Sequence, residues 1–291
     1  MLPLTAMEPL PSSSNAAAAS LLRGYALRML SFRQMDFEYA LWLMANLIVS
    51  PRTAFRSTLY HSRTKHQWAR DDPAFLVLLL YLLLVASVAW SIAFADSTAG
   101  EVLLLFVYHA AVDLLLLGAA LSTVGWWLAN NYLHESVSGL GGGGGLGSSG
   151  HIGGWPSGQP RGPGAAAAGD GGYGYGGGSK RRRQETVEWL YAFDVHCNAF
   201  LPLFALLHVA QYLMLPLLLR PGFLAALLSN TLYAGAFSAY HYLTFLGYSE
   251  LPFLHRCEVF VYPIALVLLA FVLCTVFKFN ATVAVAYTYF G

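Results

Sequence analysis

The sequence predicts an all-α, polytopic membrane helical bundle with five transmembrane helices, on three observations. Five apolar stretches, roughly residues 73–95, 102–129, 198–219, 222–247 and 259–279, are each long enough to cross a bilayer. A helix rising about 1.5 Å per residue needs about 20 apolar residues for a hydrocarbon core of about 30 Å. The composition is 57% hydrophobic and 11% charged, against about 25% charged residues in an average soluble domain. Charge is also asymmetric: Arg23, Arg28, Arg33, Arg52, Arg56, Arg63, Lys65 and Arg70 precede the first stretch, whereas residues 96–101 between the first two contain no Lys or Arg. The positive-inside rule therefore puts the N-terminus in the cytosol. Arg161, the run Lys180, Arg181, Arg182 and Arg183, and Arg256 then fall in cytosolic loops, and five spans leave residues 280–291 on the lumenal or extracellular side.

Residues 1–31 read as a cytosolic tail. The first 20 contain closely spaced prolines and no basic residue, unlike a cleaved signal peptide, so the first span is expected to act as signal anchor. Residues 32–72 form an interfacial segment. Within it, residues 39–49 are apolar except for Asn46, make only about 17 Å of helix, and are bracketed by Asp36, Glu38, Pro51 and Arg52. They are expected to lie in the interface or re-enter. Residues 73–135 carry spans one and two, with Asp72 as the N-cap and Pro73 at the first helical position. Trp68, Trp126, Trp127 and Trp189 suit the headgroup belt.

Residues 136–183 are a Gly-rich cytosolic loop, predicted to be disordered because they hold almost no large aliphatic side chains. The loop closes on Lys180, Arg181, Arg182 and Arg183, candidates for anionic lipid headgroups; with no aromatic platform or binding fold beside them, nucleic acid is disfavoured. Residues 184–291 carry spans three to five and a short lumenal C-terminus. In span four, Thr231, Gly235 and Ala239 recur at intervals of four as a stripe for close helix contact, with Ser229, Asn230 and Ser238 available for interhelical hydrogen bonds. Cys197, Cys257 and Cys274 fit no disulfide framework and are expected as free thiols.

Polar groups inside spans are functional candidates by default. His109 and Asp113 lie four apart on one face of span two, as a structural pair or as part of a proton or ion path that His208, Gln211 and His241 can join. No zinc-ligand spacing, nucleophile elbow, phosphate loop or dinucleotide fingerprint is present. The sequence therefore suggests no catalytic residue, cofactor or metal.

Four motifs carry a resemblance: Phe32-Arg33-Gln34-Met35-Asp36-Phe37-Glu38; Gln67-Trp68-Ala69-Arg70-Asp71-Asp72-Pro73-Ala74-Phe75; Ala192-Phe193-Asp194-Val195-His196; and Thr244-Phe245-Leu246-Gly247-Tyr248-Ser249 with Leu251-Pro252-Phe253-Leu254. In order and spacing the chain resembles the Unc-fifty family of Golgi membrane proteins. The resemblance implies five spans, a cytosolic N-terminus, and residence in the Golgi and related membranes, with the endoplasmic reticulum or inner nuclear membrane as further locations. It also implies a role in trafficking selected membrane-protein cargo and contact with guanine-nucleotide exchange factors for Arf GTPases. The insertion at residues 136–179 departs from the family pattern. The partner surface expected from the motifs is Arg33, Gln34, Asp36, Glu38, Gln67, Trp68, Arg70, Asp71, Asp72, Glu188, Trp189, Asp194 and His196. The rival readings are a small proton- or ion-coupled transporter using His109, Asp113, His208 and His241, and a membrane-embedded enzyme.

Overall fold

Helix caps and chain breakers divide the chain as the apolar pattern suggests. The structure, a computed structural model, describes residues 35–65, 68–70, 72–94, 98–133 and 186–290. Arg33, Gln34, Gln67, Asp71, the Gly-rich loop and the run from Lys180 to Arg183 lie outside these residues. Helix α1 spans Phe37–Val49 and opens on Asp36, whose Oδ1 accepts from Tyr39 N at 2.9 Å. It ends at Ser50, and Pro51 starts α2, Pro51–Lys65. Helix α3 is Ala74–Ala93. Pro73, expected at the first helical position, is instead the N-cap residue, and Asp72 one place ahead of it accepts from Ala74 N through Oδ1 at 3.0 Å.

Helix α4 runs through Ala99–Tyr132, and Glu101 Oε2 accepts from Thr98 N at its start. Helix α5 is Trp189–Leu218 and α6 is Phe223–Ser249. A 3₁₀ turn at Cys257–Phe260 leads into α7, Pro263–Val276, and α8 is Ala281–Phe290. Between α7 and α8, Lys278 adopts a left-handed φ of 54°. Phe279 N then reaches Cys274 O at 2.8 Å and Lys278 N reaches Thr275 O at 3.1 Å, the paired bonds of a Schellman stop.

Successive long helices alternate in direction. α3 and α4 form a hairpin, α4 packs on α5, α5 on α6 and α6 on α7, with α1 against α3 and α5 and α8 against α5 and α6. Four segments, Ala74–Ala93, Ala99–Tyr132, Trp189–Leu218 and Cys257–Val276, are long and apolar enough to cross a membrane, so the chain is a multi-pass membrane protein. α6 is long enough at 27 residues, about 40 Å, but Ser229, Asn230, Thr231 and Ser238 dilute its apolar character. The most apolar span is also the least covered: only 6% of it is buried, and Leu266, Leu269 and Val276 point outward. That pattern suits a lipid solvent, since lipid tails exert no hydrophobic force between helices. α1 is apolar on both faces, with Leu43 and Leu47 in the core and Leu41, Trp42, Ile48 and Val49 exposed.

The stripe on α6 is a correction to the sequence reading. Thr231 and Gly235 are exposed, and a Cβ on Gly235 would meet nothing nearer than Leu206 at 3.9 Å. Close approach occurs one end further along, at Gly247, where a Cβ would sit 2.8 Å from both methyls of Val195. Ser229 and Asn230 are interior as expected. The three cysteines are free.

Candidate functional site

Three of the motifs meet at one end of the bundle. Arg70 lies between α3 and α5, its backbone N–H donating to Asp194 Oδ2 at 2.7 Å and its Nε 3.6 Å from Asp194 Oδ1. Its Nη2 donates to Asp194 O and, at 2.6 Å, to Asn198 Oδ1, while the guanidinium stands 4.4 Å over the Phe75 ring. The side chains of Arg70 and Asp194 are only 12% and 15% exposed. Glu188 Oε2 accepts from Ala69 N, and Asp72 Oδ2 accepts from Asp36 N at 2.8 Å. Thus each acidic residue here satisfies a backbone N–H at a helix entrance, which ties the starts of α1, α3 and α5 together.

The expected partner residues accordingly divide. Arg70, Asp72, Glu188 and Asp194 hold the brace, and Asp36 and Glu38 stay exposed at the head of α1. Trp68 packs edge-on against Phe253, and Trp189 Nε1 donates to Thr123 Oγ1 at 3.0 Å. His196 lies deeper, buried within the bundle, with Nδ1 2.8 Å from Tyr240 Oη and Nε2 3.2 Å from Leu114 O. Asn198, absent from the motif residues, completes the Arg70 cluster.

The intramembrane candidates gather around a cavity of about 470 Å³ between α4, α5, α6 and α8, which His109, Asp113, His208 and His241 all line. His109 Nδ1 and Asp113 Oδ2 are 2.7 Å apart, as their spacing predicts, and the His208 ring packs edge-on to His109 at 5.0 Å. Two wider helical segments flank this space: α4 has π-helical pairing over His109–Leu116, and α5 over Ala205–Ala210. Such bulges redirect backbone carbonyls to other partners. Leu114 O accepts from His196, and His208 O accepts from Trp90 Nε1 at 3.0 Å. Pro202, three residues ahead of the second bulge, has no N–H for the regular ladder. Gly118 admits the His196 ring, since a Cβ there would lie 2.5 Å from Nε2. Among the described residues no group of three His, Cys, Asp or Glu is placed to hold a metal ion.

Helix α8 closes the cavity from the end opposite Arg70, a packing that no residue pattern signals. Residues 280–291 are expected as a short tail, but residues 280–290 fold back into the bundle. Thr282 is fully buried, bonded to Ser229 Oγ at 2.8 Å and to Gln211 Nε2 at 3.2 Å. Asn280 donates to Leu218 O and accepts from Val283 N, so the Asn280-Ala281-Thr282 sequon is occupied by the fold. Tyr289 thereby reaches the rings of Tyr108 and His109.

Comparison with known proteins agrees with the motifs. A sequence model described as the UNC-50 family matches residues 25–290. The unc-50 homolog of Dictyostelium discoideum is 36% identical over 96% of this chain and 92% of its own. Protein unc-50 of Caenorhabditis elegans is 35% identical over 88% of this chain and 70% of its own, and the human homolog 34% over 89% and 83%. No solved structure matches the chain. With braced motifs and a helical membrane bundle matched over nearly its whole length, the chain belongs to the UNC-50 family.

Proposed function

We propose that this protein is a non-enzymatic organiser of vesicle-mediated transport in the Golgi membrane. In this reading it spans the membrane five times, with α6 as the fourth span in chain order. The Arg70 end faces the cytosol, recruits exchange-factor machinery for Arf GTPases, and supports transport of selected membrane cargo. The observation that carries the reading is the convergence of separate motifs on that end. A buried brace holds the helix entrances rigid while Asp36, Glu38, Arg52, Arg56 and Arg256 remain exposed around it, a mixed-charge surface suited to a protein partner. The basic run from Lys180 to Arg183 would add attraction to anionic lipid, about 1 kcal/mol per charge.

The test uses proximity labelling from the N-terminus in cells, comparing the parent with a charge-reversed set, Asp36→Lys, Glu38→Lys, Arg52→Glu and Arg56→Glu. Loss of exchange-factor recovery at unchanged abundance supports the proposal. Unchanged recovery removes this surface from the partner site. A glycosylation acceptor inserted at residues 95–97 should be modified and one at residues 252–255 should not; the reverse pattern would overturn the orientation.

A further inference from the structure

We propose that the cavity between α4, α5, α6 and α8 is an intramembrane binding site for a neutral lipid bearing a hydroxyl group. Its volume of about 470 Å³ falls within the range of about 300–1,000 Å³ typical of small-molecule sites. Its rim includes Leu117, Leu121 and Phe237, all substantially exposed and all near the middle of their helices. The opening therefore faces acyl chains at mid-membrane depth, not water, and the ligand enters from the bilayer.

The wall chemistry sets the ligand class. No Lys or Arg lines the cavity, and Asp113 is its one carboxylate, so a phosphate or free carboxylate headgroup would meet no countercharge. Yet the wall is not wholly apolar. His208 Nδ1 is buried without a hydrogen-bond partner, beside the His109–Asp113 pair. A polar atom left unmet in a low-dielectric site is costly, and native structures normally satisfy it. A hydroxyl can donate or accept, so it can complete His208 in either ring tautomer, while its hydrocarbon fills the aromatic and aliphatic remainder. The two π-helical segments bound the same space, in keeping with the concentration of such bulges at functional sites. A sterol and a diacylglycerol both supply this chemistry.

The full-length protein in phosphatidylcholine vesicles is irradiated with a photoreactive alkyne sterol, a photoreactive alkyne diacylglycerol or the matching phosphatidic acid probe, and crosslinked peptides are identified by mass spectrometry. One neutral probe should label residues 117–121, 237–241 or 285–289, and an excess of the same unlabelled lipid should suppress it; which probe succeeds identifies the source. Leu207→Trp, which fills the cavity, should lower that labelling about tenfold or more. His208→Leu should lower it about tenfold, equivalent to about 1.4 kcal/mol, while leaving a matched probe without the hydroxyl unaffected. Labelling that does not compete, that is as strong along α7 as in the cavity, or that is equalled by phosphatidic acid overturns the proposal. So does the absence of neutral probes from the cavity peptides. If a variant does not fold, competition in the parent protein decides.

Discussion

The Arg70 brace and the cavity both contain charged or ionisable side chains inside an apolar bundle, but they satisfy those groups differently. At the brace, Asp194 and Glu188 each answer a backbone N–H, Asn198 takes a guanidinium N–H and Phe75 covers the cation's face, which leaves only Arg70 Nη1 without a hydrogen-bond partner, and packed protein surrounds it. At the cavity, His109 and Asp113 satisfy each other, His208 Nδ1 has no partner, and open volume adjoins all three. Polar groups that answer one another across helix entrances hold helices together. Polar groups facing empty space leave interactions for a molecule that is not part of the chain.

The largest effect is expected from Arg70→Ala, which removes the cation beside the mostly buried Asp194 carboxylate. Removing one member of a buried pair costs about 3–5 kcal/mol, so the variant should lose most of its folded population in detergent thermal unfolding. Arg70→Ala combined with Asp194→Ala should recover part of the loss; an unchanged melting point in the single variant would contradict the brace. Next in size is Gly118→Val, which drives a Cβ into His196 and should cost about 1–3 kcal/mol through overpacking. Adding His196→Ala should relieve it, as read by melting temperature.

At the cavity, His109→Leu or Asp113→Leu alone strands a polar partner and should cost about 1–3 kcal/mol, whereas the double variant should recover most of the stability. Equal losses in single and double variants would show that the pair does more than satisfy itself. Complementation scored beside abundance separates packing from activity. The smallest effect is expected at Lys278, remote from both regions. Lys278→Gly removes the strain of a left-handed Lys and should raise stability by up to about 1 kcal/mol in the same unfolding assay.

Part of this contrast is legible in the sequence. The spacing of His109 and Asp113 predicts their pairing, because residues four apart share a helix face. The motifs around Asp36, Arg70 and Asp194 can be assigned to one end of the bundle from topology alone. Their orientation toward one another cannot, since backbone N–H groups at helix starts carry no residue signature. Pro202 marks a break in the ladder of α5, but nothing comparable announces the bulge in α4. The stripe at Thr231, Gly235 and Ala239 misleads because small residues permit close packing without requiring it.

The solvent, the helical class, the positions of most helices and the family can all be read from the residues alone. These follow from run length, composition and local motifs, each read within a short stretch of chain. The return of α8 into the bundle, the contact of Tyr289 with His109 and the bond of Asn198 to Arg70 emerge only in the folded chain. Those contacts link residues far apart in the chain. In a membrane, where every neighbour is apolar, hydrophobic pattern does not distinguish one packing partner from another, and the choice rests on a few hydrogen bonds such as Thr282 to Ser229.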